Sequence, residues 1–120
     1  MGSCQDCHTF AEKGSLDLSR RFGGGHTFTL VNGLTAVSAN ISPDVETGIG
    51  GWTLERFLQR FDAYRGYVRD GSPKVGADRF TLMPWLQFAQ HTDADLEAIY
   101  TYLMSRTPIH NVVPKRVLAP

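Results

Sequence analysis

The sequence predicts one small globular domain with two amphipathic helices and a β-hairpin. Three observations indicate this fold: a length of 120 residues, an apolar content of 42% with 20% charged residues, and two stretches in which apolar residues recur at helical spacing. A domain of this length buries only a modest apolar core, so a large cofactor bound inside it would add much to its stability.

The first helix is predicted to begin after Thr53, a favourable N-cap residue. The apolar residues that follow repeat with the period of a helix: Leu54, Phe57, Leu58 and Phe61. Gly66 and the Gly71-Ser72-Pro73 run mark the region in which this helix weakens and stops.

The last helix is predicted from Thr92 to the residues before Pro108. Thr92 supplies a cap, and Asp93 and Asp95 place negative charge at the positive end of the helix dipole. An apolar stripe follows at i, i+3, i+4 and i+7: Leu96, Ile99, Tyr100 and Leu103. The tail from residue 110 to residue 120 contains two prolines and is predicted to be extended, so we expect a domain over 1–109 and a tail or linker over 110–120.

Between the two ends, residues 9–26 are rich in Gly, Ser and charge and are predicted to be loop. The Asn32-Gly33 pair lies between two β-prone runs, which is a strong hairpin signal. A small β-hairpin is therefore predicted near residues 27–37.

Charge and apolar runs exclude some classes of partner. Lysine plus arginine (12) equal aspartate plus glutamate (12), so no nucleic-acid partner is expected. No apolar run approaches the roughly 20 residues of a membrane span, so the chain as given is not expected to cross a membrane. The first residues lack the pattern of a signal peptide, which predicts either a processed or shortened form or a protein that stays in the cytoplasm.

The chemistry is indicated by one pentapeptide, Cys4-Gln5-Asp6-Cys7-His8. This spacing is typical of covalent haem attachment. Two thiols three positions apart can form thioethers with the two vinyl-derived carbons on one edge of a porphyrin. The next imidazole, that of His8, is then placed at the iron. The pattern predicts one haem c held through Cys4 and Cys7.

Three other interpretations of the two cysteines remain open. A thioredoxin-like dithiol requires a strand before the motif, and only three residues precede Cys4. A zinc site requires two further ligands, for which His26, His91 and His110 are available without finger-like spacing. The cysteines can also be structural, either free or joined as a disulfide.

Met83 is the best candidate for a sixth ligand to the iron. It precedes Pro84 and lies shortly before the last helix, so its thioether can reach a haem from the side opposite His8. Ligation by histidine and methionine raises the reduction potential. The alternative is a methionine that fills the core.

Four stretches of the chain share a pattern with a known family. They comprise the haem motif, a double glycine, an Asn-Ile-Ser-Pro-Asp block that leads to Trp-Thr, and a Met-Pro-Trp run with the last helix: Cys4 to Thr9, Gly24-Gly25, Asn40 to Thr53, and Met83 to Leu103. Together they resemble class I cytochrome c, and more narrowly the cytochrome subunits and domains of bacterial periplasmic dehydrogenases for alcohols, sugar acids and aldehydes. The likeness covers nearly the whole chain in the expected order.

The resemblance implies an all-α fold of helices around one covalently bound haem, with His8 and Met83 as axial ligands. It also implies that Asn40, Ile41 and Trp52 lie near the haem and that Trp85 lines its distal side. For Asn40 a turn residue, and for Trp52 a core aromatic, remain the alternatives. Members of this family normally have a helix before the motif, and we expect that helix to be missing here. Both ends of the sequence suggest a piece of a longer chain.

The resemblance further implies an electron-transfer protein rather than an enzyme. Its haem iron would cycle between Fe(III) and Fe(II), taking electrons from a dehydrogenase or quinol donor and giving them to an oxidase or another cytochrome. The expected location is the periplasm or the outer face of the cytoplasmic membrane. The alternative is a haem c enzyme or sensor with a displaceable sixth ligand, with His26 or His91 in place of Met83.

Overall fold

The computed structural model of the chain describes residues 4–12, 14–29, 35–65 and 85–113. Their elements follow in chain order: helix α1 (Cys4–His8), strands β1 (Ala11–Glu12) and β2 (Ser15–Leu16), a 3-10 turn (Leu18–Arg20), strands β3 (Thr27–Thr29) and β4 (Thr35–Val37), and helices α2 (Leu54–Asp62), α3 (Trp85–Phe88) and α4 (Asp93–Met104). The chain divides into two compact units. We call them the hairpin unit (residues up to Gly51 and from Thr101 onward) and the helical unit (Trp52–Tyr100).

The prediction of an all-α fold is wrong, because the described residues contain two antiparallel two-stranded sheets. One of them, β1 with β2, lies in the stretch predicted to be loop, and pairs Ala11 with Leu16 and Glu12 with Ser15. Gly14 in the connection has a φ of +80°, which glycine adopts without steric cost. Strands of two residues show no alternation of apolar and polar residues, so periodicity could not predict them.

The hairpin predicted near residues 27–37 is present. Strands β3 and β4 pair antiparallel, with Thr27 opposite Val37, Phe28 opposite Ala36 and Thr29 opposite Thr35. The Asn32-Gly33 pair that predicted it lies outside the described residues.

Helix α2 begins as predicted. The Thr53 Oγ1 accepts a hydrogen bond from the Arg56 amide at 3.1 Å, so Thr53 is the N-cap. Phe57 and Phe61 of the predicted stripe are 6% and 5% exposed, and their ring centroids lie 5.1 Å apart. The apolar face of α2 is therefore the buried one.

Helix α4 also follows its prediction. The Thr92 Oγ1 accepts from the Asp95 amide at 3.1 Å, and Leu96 is completely buried. Of the remaining stripe, Ile99 and Leu103 are buried, while Tyr100 is half-buried and donates its hydroxyl to the Trp52 carbonyl at 2.7 Å. At 12 residues α4 is the longest described helix, and none of the described helices has the length and apolar character needed to cross a membrane.

Arg65 joins the end of α2 to the connection between α3 and α4. Its Nε donates to the Ala89 carbonyl and its Nη2 to the His91 carbonyl, both at 2.9 Å. The same Nη2 lies 2.9 Å from the Asp93 carboxylate, and Nη1 lies 3.3 Å from that of Asp62. With its side chain 31% exposed, Arg65 satisfies backbone carbonyls that neither helix satisfies.

Substituting Arg65→Ala should destabilise the protein, because two carbonyl oxygens lose a charged donor. The expected loss is about 1–2 kcal/mol of unfolding free energy, towards the lower end for charged hydrogen bonds because the side chain is partly exposed. Arg56→Ala is the matched control on the same helix. Its exposed guanidinium lies 4.2 Å from the Trp52 ring centroid, a contact that contributes about 0.5–1 kcal/mol. Urea denaturation followed by circular dichroism measures both, and equal losses would contradict the prediction.

Candidate functional site

The cysteine and histidine motif forms α1 itself. Cys4 and Cys7 are three residues apart on this helix, so their side chains lie on the same face, one turn from each other. Both thiols are free; Cys4 is half-buried and Cys7 exposed. Burial is the largest cause of a raised pKa at Cys4. Both sulfur atoms are therefore presented on one side of a short helix, with His8 directly after Cys7.

The imidazole of His8 is held by the backbone of a distant residue. Its Nδ1 lies 2.7 Å from the carbonyl oxygen of Ala39, 31 positions along the chain. A carbonyl can only accept a hydrogen bond, so in the neutral ring this geometry assigns the proton to Nδ1 and the lone pair to Nε2. Burial lowers the pKa of His8, and the hydrogen bond to Ala39 opposes that effect. His8 therefore offers one nitrogen of a neutral, oriented ring, as metal-ligating histidines do.

The Ala39 carbonyl is placed by two segments that continue the β3–β4 hairpin beyond its strands. The Ser38 amide donates to the His26 carbonyl and the Gly25 amide to the Ser38 carbonyl, both at 2.9 Å. Further along, the Ile41 amide donates to the Phe22 carbonyl at 2.8 Å. The segment before β3 and the segment after β4 thus run antiparallel past His8.

Asn40 follows Ala39 directly and is only 6% exposed. Its Nδ2 donates to the Ile109 carbonyl at 2.8 Å and to the Thr47 Oγ1 at 3.0 Å. Its Oδ1 accepts from the Ser42 amide at 3.0 Å and from the Ser42 hydroxyl at 2.7 Å. All the polar atoms of this side chain are therefore engaged within the chain. Contact of Asn40, or of the half-buried Ile41, with a haem stays a prediction.

The chain around Asn40 also binds the predicted tail. The Ile109 amide donates to the Ser42 Oγ and the Asn111 amide to the Thr47 Oγ1, both at 3.0 Å. The Asn111 side chain donates to the Gly23 carbonyl at 2.9 Å. Hydrogen bonds therefore hold residues on both sides of position 110, and a domain boundary there stays a prediction.

The other predicted site residues belong to the helical unit. Trp52 is half-buried, beside the Arg56 guanidinium. Trp85 opens α3, but its side chain lies outside the part of the chain that the structure describes. Met83 lies outside the described residues altogether. Ligation by Met83 and haem contacts of the two tryptophans stay predictions.

Two contributors to the site escaped the sequence reasoning. Ala39 acts through a backbone carbonyl, for which its side chain carries no signal. Thr9, next to the motif, is completely buried, and its Oγ1 accepts from the Phe22 amide at 3.2 Å. In the sequence, Thr9 stands only as the end of the stretch Cys4 to Thr9 that carries the resemblance, and no role is predicted for it.

The side chains of the remaining histidines make contacts of their own. His26 stacks on Phe28 with ring centroids 4.4 Å apart, and its buried Nδ1 has no hydrogen-bond partner among the described residues. The Nδ1 of His91 lies 3.8 Å from Asp95, and that of His110 lies 3.6 Å from Asp44. In the described part of the chain, no three His, Cys, Asp or Glu side chains cluster closely enough to hold a metal ion.

Comparison with known proteins gives this geometry a context. The chain is 35% identical over 117 residues to a nicotinate dehydrogenase subunit of Pseudomonas putida, and the match covers 94% of the chain and 8% of that protein. It is 33% identical over 114 residues to the cytochrome c subunit of the quinone-dependent alcohol dehydrogenase of Gluconobacter oxydans (95% of the chain, 20% of the relative). It is 34% identical over 113 residues to the gluconate 2-dehydrogenase cytochrome c subunit of Pantoea cypripedii (94% and 21%).

The predicted resemblance to dehydrogenase cytochrome c subunits is confirmed. The likeness covers nearly the whole chain, as the four sequence stretches predicted. The chain spans about a fifth or less of the length of these relatives. No family model matches it.

The Asp44 carboxylate should make the hairpin unit sensitive to acid. Hydrogen bonds from the Thr47 hydroxyl and amide, at 2.6 and 2.8 Å, hold the pKa of Asp44 below its ordinary value of 3.8. A lowered pKa means that the unfolded chain binds the proton first. The stabilisation is therefore present above pH 3.8 and is lost as the pH falls through the lowered value.

The test is Asp44→Asn, because the amide cannot titrate. Its unfolding free energy should fall less than that of the wild type between about pH 5 and about pH 2. Glu46→Gln is the matched control, since the Glu46 carboxylate also lies near His110, at 3.8 Å, but is 81% exposed. Denaturant titrations at each pH measure the difference, and a control that behaves like Asp44→Asn would contradict the assignment.

Proposed function

We propose that this domain is a single-electron carrier. One haem c is attached through Cys4 and Cys7, with His8 and Met83 as its axial ligands. The observation that carries the proposal is the hydrogen bond from the His8 Nδ1–H to the Ala39 carbonyl. In the neutral ring it leaves the lone pair of Nε2 available to bind a metal. A ligating histidine almost always has such a hydrogen-bond partner on its other ring nitrogen.

The donor set fits the cofactor. Two free thiols lie on one face of α1, one turn apart, and an oriented neutral imidazole follows directly. Neither a dithiol redox centre nor a structural disulfide requires that histidine. When bound, the haem supplies a one-electron Fe(III)/Fe(II) couple whose potential depends on its axial ligands and on their hydrogen bonds.

The residues of this chain then do three things. Cys4 and Cys7 hold the cofactor in place, so it is retained in both oxidation states. His8 is kept in one orientation by the backbone of Ala39, so little of the protein has to rearrange when the charge of the site changes. Met83 would provide a soft thioether that favours the ferrous state and raises the potential.

Partners and location follow the relatives. Their names describe subunits of dehydrogenases that act on nicotinate, alcohol and gluconate. We therefore assign this domain to electron transfer from a dehydrogenase or quinol donor to an oxidase or another cytochrome, at the periplasmic side of the membrane. Substrate chemistry belongs to the partner, so the domain itself is not an enzyme.

Covalent attachment is tested by producing the chain in the periplasm of a host that matures c-type cytochromes. The wild type should retain its haem on a denaturing gel and show the spectrum of an alkylated haem when reduced. Replacing both cysteines, with Cys4→Ser and Cys7→Ser, should abolish the retained haem, while His110→Ala, at an exposed position, should leave it unchanged. A wild type without covalent haem would sink the proposal.

Met83→Ala tests the sixth ligand. It should remove the methionine-to-iron charge-transfer band of the oxidised protein and give a high-spin form that binds carbon monoxide. The alternative ligands serve as controls, because His26→Ala and His91→Ala should leave that band in place. Carbon monoxide binding by the unmodified wild type would instead favour a haem enzyme or sensor with a displaceable ligand.

A further inference from the structure

Gly24 lies next to both the backbone of His8 and the Ala39 carbonyl that accepts a hydrogen bond from the His8 ring. Its amide donates to the His8 carbonyl at 2.9 Å. Its α-carbon lies so close to Ala39 that a Cβ built there would come within 2.5 Å of both the carbonyl carbon and the carbonyl oxygen, and within 2.6 Å of the Asn40 nitrogen. That oxygen is the one that accepts from the His8 ring.

The consequence is a fixed distance between the backbone of His8 and the carbonyl that orients its side chain. Backbone atoms have little room to move, since the peptide beyond Ala39 begins with Asn40, whose side chain is held by several hydrogen bonds. A methyl group at position 24 must therefore displace the Ala39 carbonyl. The hydrogen bond to the Ala39 carbonyl is already short, at 2.7 Å. It becomes weaker when the oxygen moves so that the N–H···O angle is no longer close to linear.

We propose that Gly24 is a positioning residue that sets the reduction potential of the bound haem, by keeping the Ala39 carbonyl in line with the His8 Nδ1–H. This inference rests on the proposed function. A strong hydrogen bond makes the imidazole a better donor to the iron and so favours the ferric state. A side chain at position 24 should therefore raise the potential.

The chain offers a matched control for Gly24→Ala. Gly24 and Gly14 have φ values of +73° and +80°, so alanine is strained at both. Gly14 lies in the connection between β1 and β2, and a Cβ there meets nothing within 4 Å. The two variants therefore separate backbone strain from displacement of the Ala39 carbonyl.

The experiment compares reduction potentials and the ¹⁵N shift of the His8 Nδ1 in the reduced holoprotein. Mutating a hydrogen-bond partner of a metal ligand typically changes metal affinity or activity by roughly 10- to 100-fold. We expect an effect at the lower end of that range on the redox equilibrium. Gly24→Ala should therefore favour the ferrous form by roughly tenfold, which is about 59 mV for a one-electron couple. Its His8 Nδ1 shift should also move. Gly14→Ala should lose thermal stability but keep both readouts near the wild type. Equal potentials for Gly24→Ala and Gly14→Ala would overturn the proposal.

A second measurement, made on the wild type, tests the proposal if the Gly24→Ala protein does not fold. In the wild type, scalar couplings across the His8 Nδ1–Ala39 and Gly24 amide–His8 hydrogen bonds should both be detected by NMR, and the absence of either from the folded protein overturns the proposal. If the wild type carries no haem, the proposed function fails. The couplings and the His8 shift in the apoprotein then still decide whether Gly24 positions the ring.

Discussion

The hydrogen bond between the His8 ring and the Ala39 carbonyl links the motif to the rest of the hairpin unit. Helix α1 has five residues and no buried side chain, so neither its length nor its packing can stabilise it alone. It is held instead from its C-terminal end, where the Gly24 amide binds the His8 carbonyl and Ala39 binds the ring. The orientation of the His8 ring therefore depends on a backbone carbonyl 31 positions away.

The loop after Ala39 explains how that carbonyl stays in place. Buried Asn40 and Ser42 share hydrogen bonds with each other and with Ile109. Buried polar groups are costly unless they are paired, so a fully bonded set of this kind favours one geometry of the loop. The Asn-Ile-Ser-Pro-Asp block that marked the resemblance is, in this structure, the support for the Ala39 peptide.

The helical unit is organised by simpler means. Threonine caps begin α2 and α4, and each helix buries part of its apolar stripe, with Leu54, Leu58 and Tyr100 only half-buried. Arg65 then satisfies the carbonyls between α3 and α4. These are local devices, and the sequence predicted both longer helices from them. Nothing comparable marked the two-residue strands β1 and β2, for which the prediction of an all-α fold was wrong.

The order and spacing of the residues predicted two thiols followed by an imidazole, a likeness to dehydrogenase cytochrome c subunits, two helices and one hairpin. These features can be predicted because they depend on the type of each side chain and on its spacing from near neighbours in the chain. The folded chain adds which atom orients His8, what a side chain at position 24 would meet, and what Asn40 binds. Those interactions join backbone atoms or residues far apart in the chain, and a carbonyl acceptor leaves no trace in the identity of the residue that provides it.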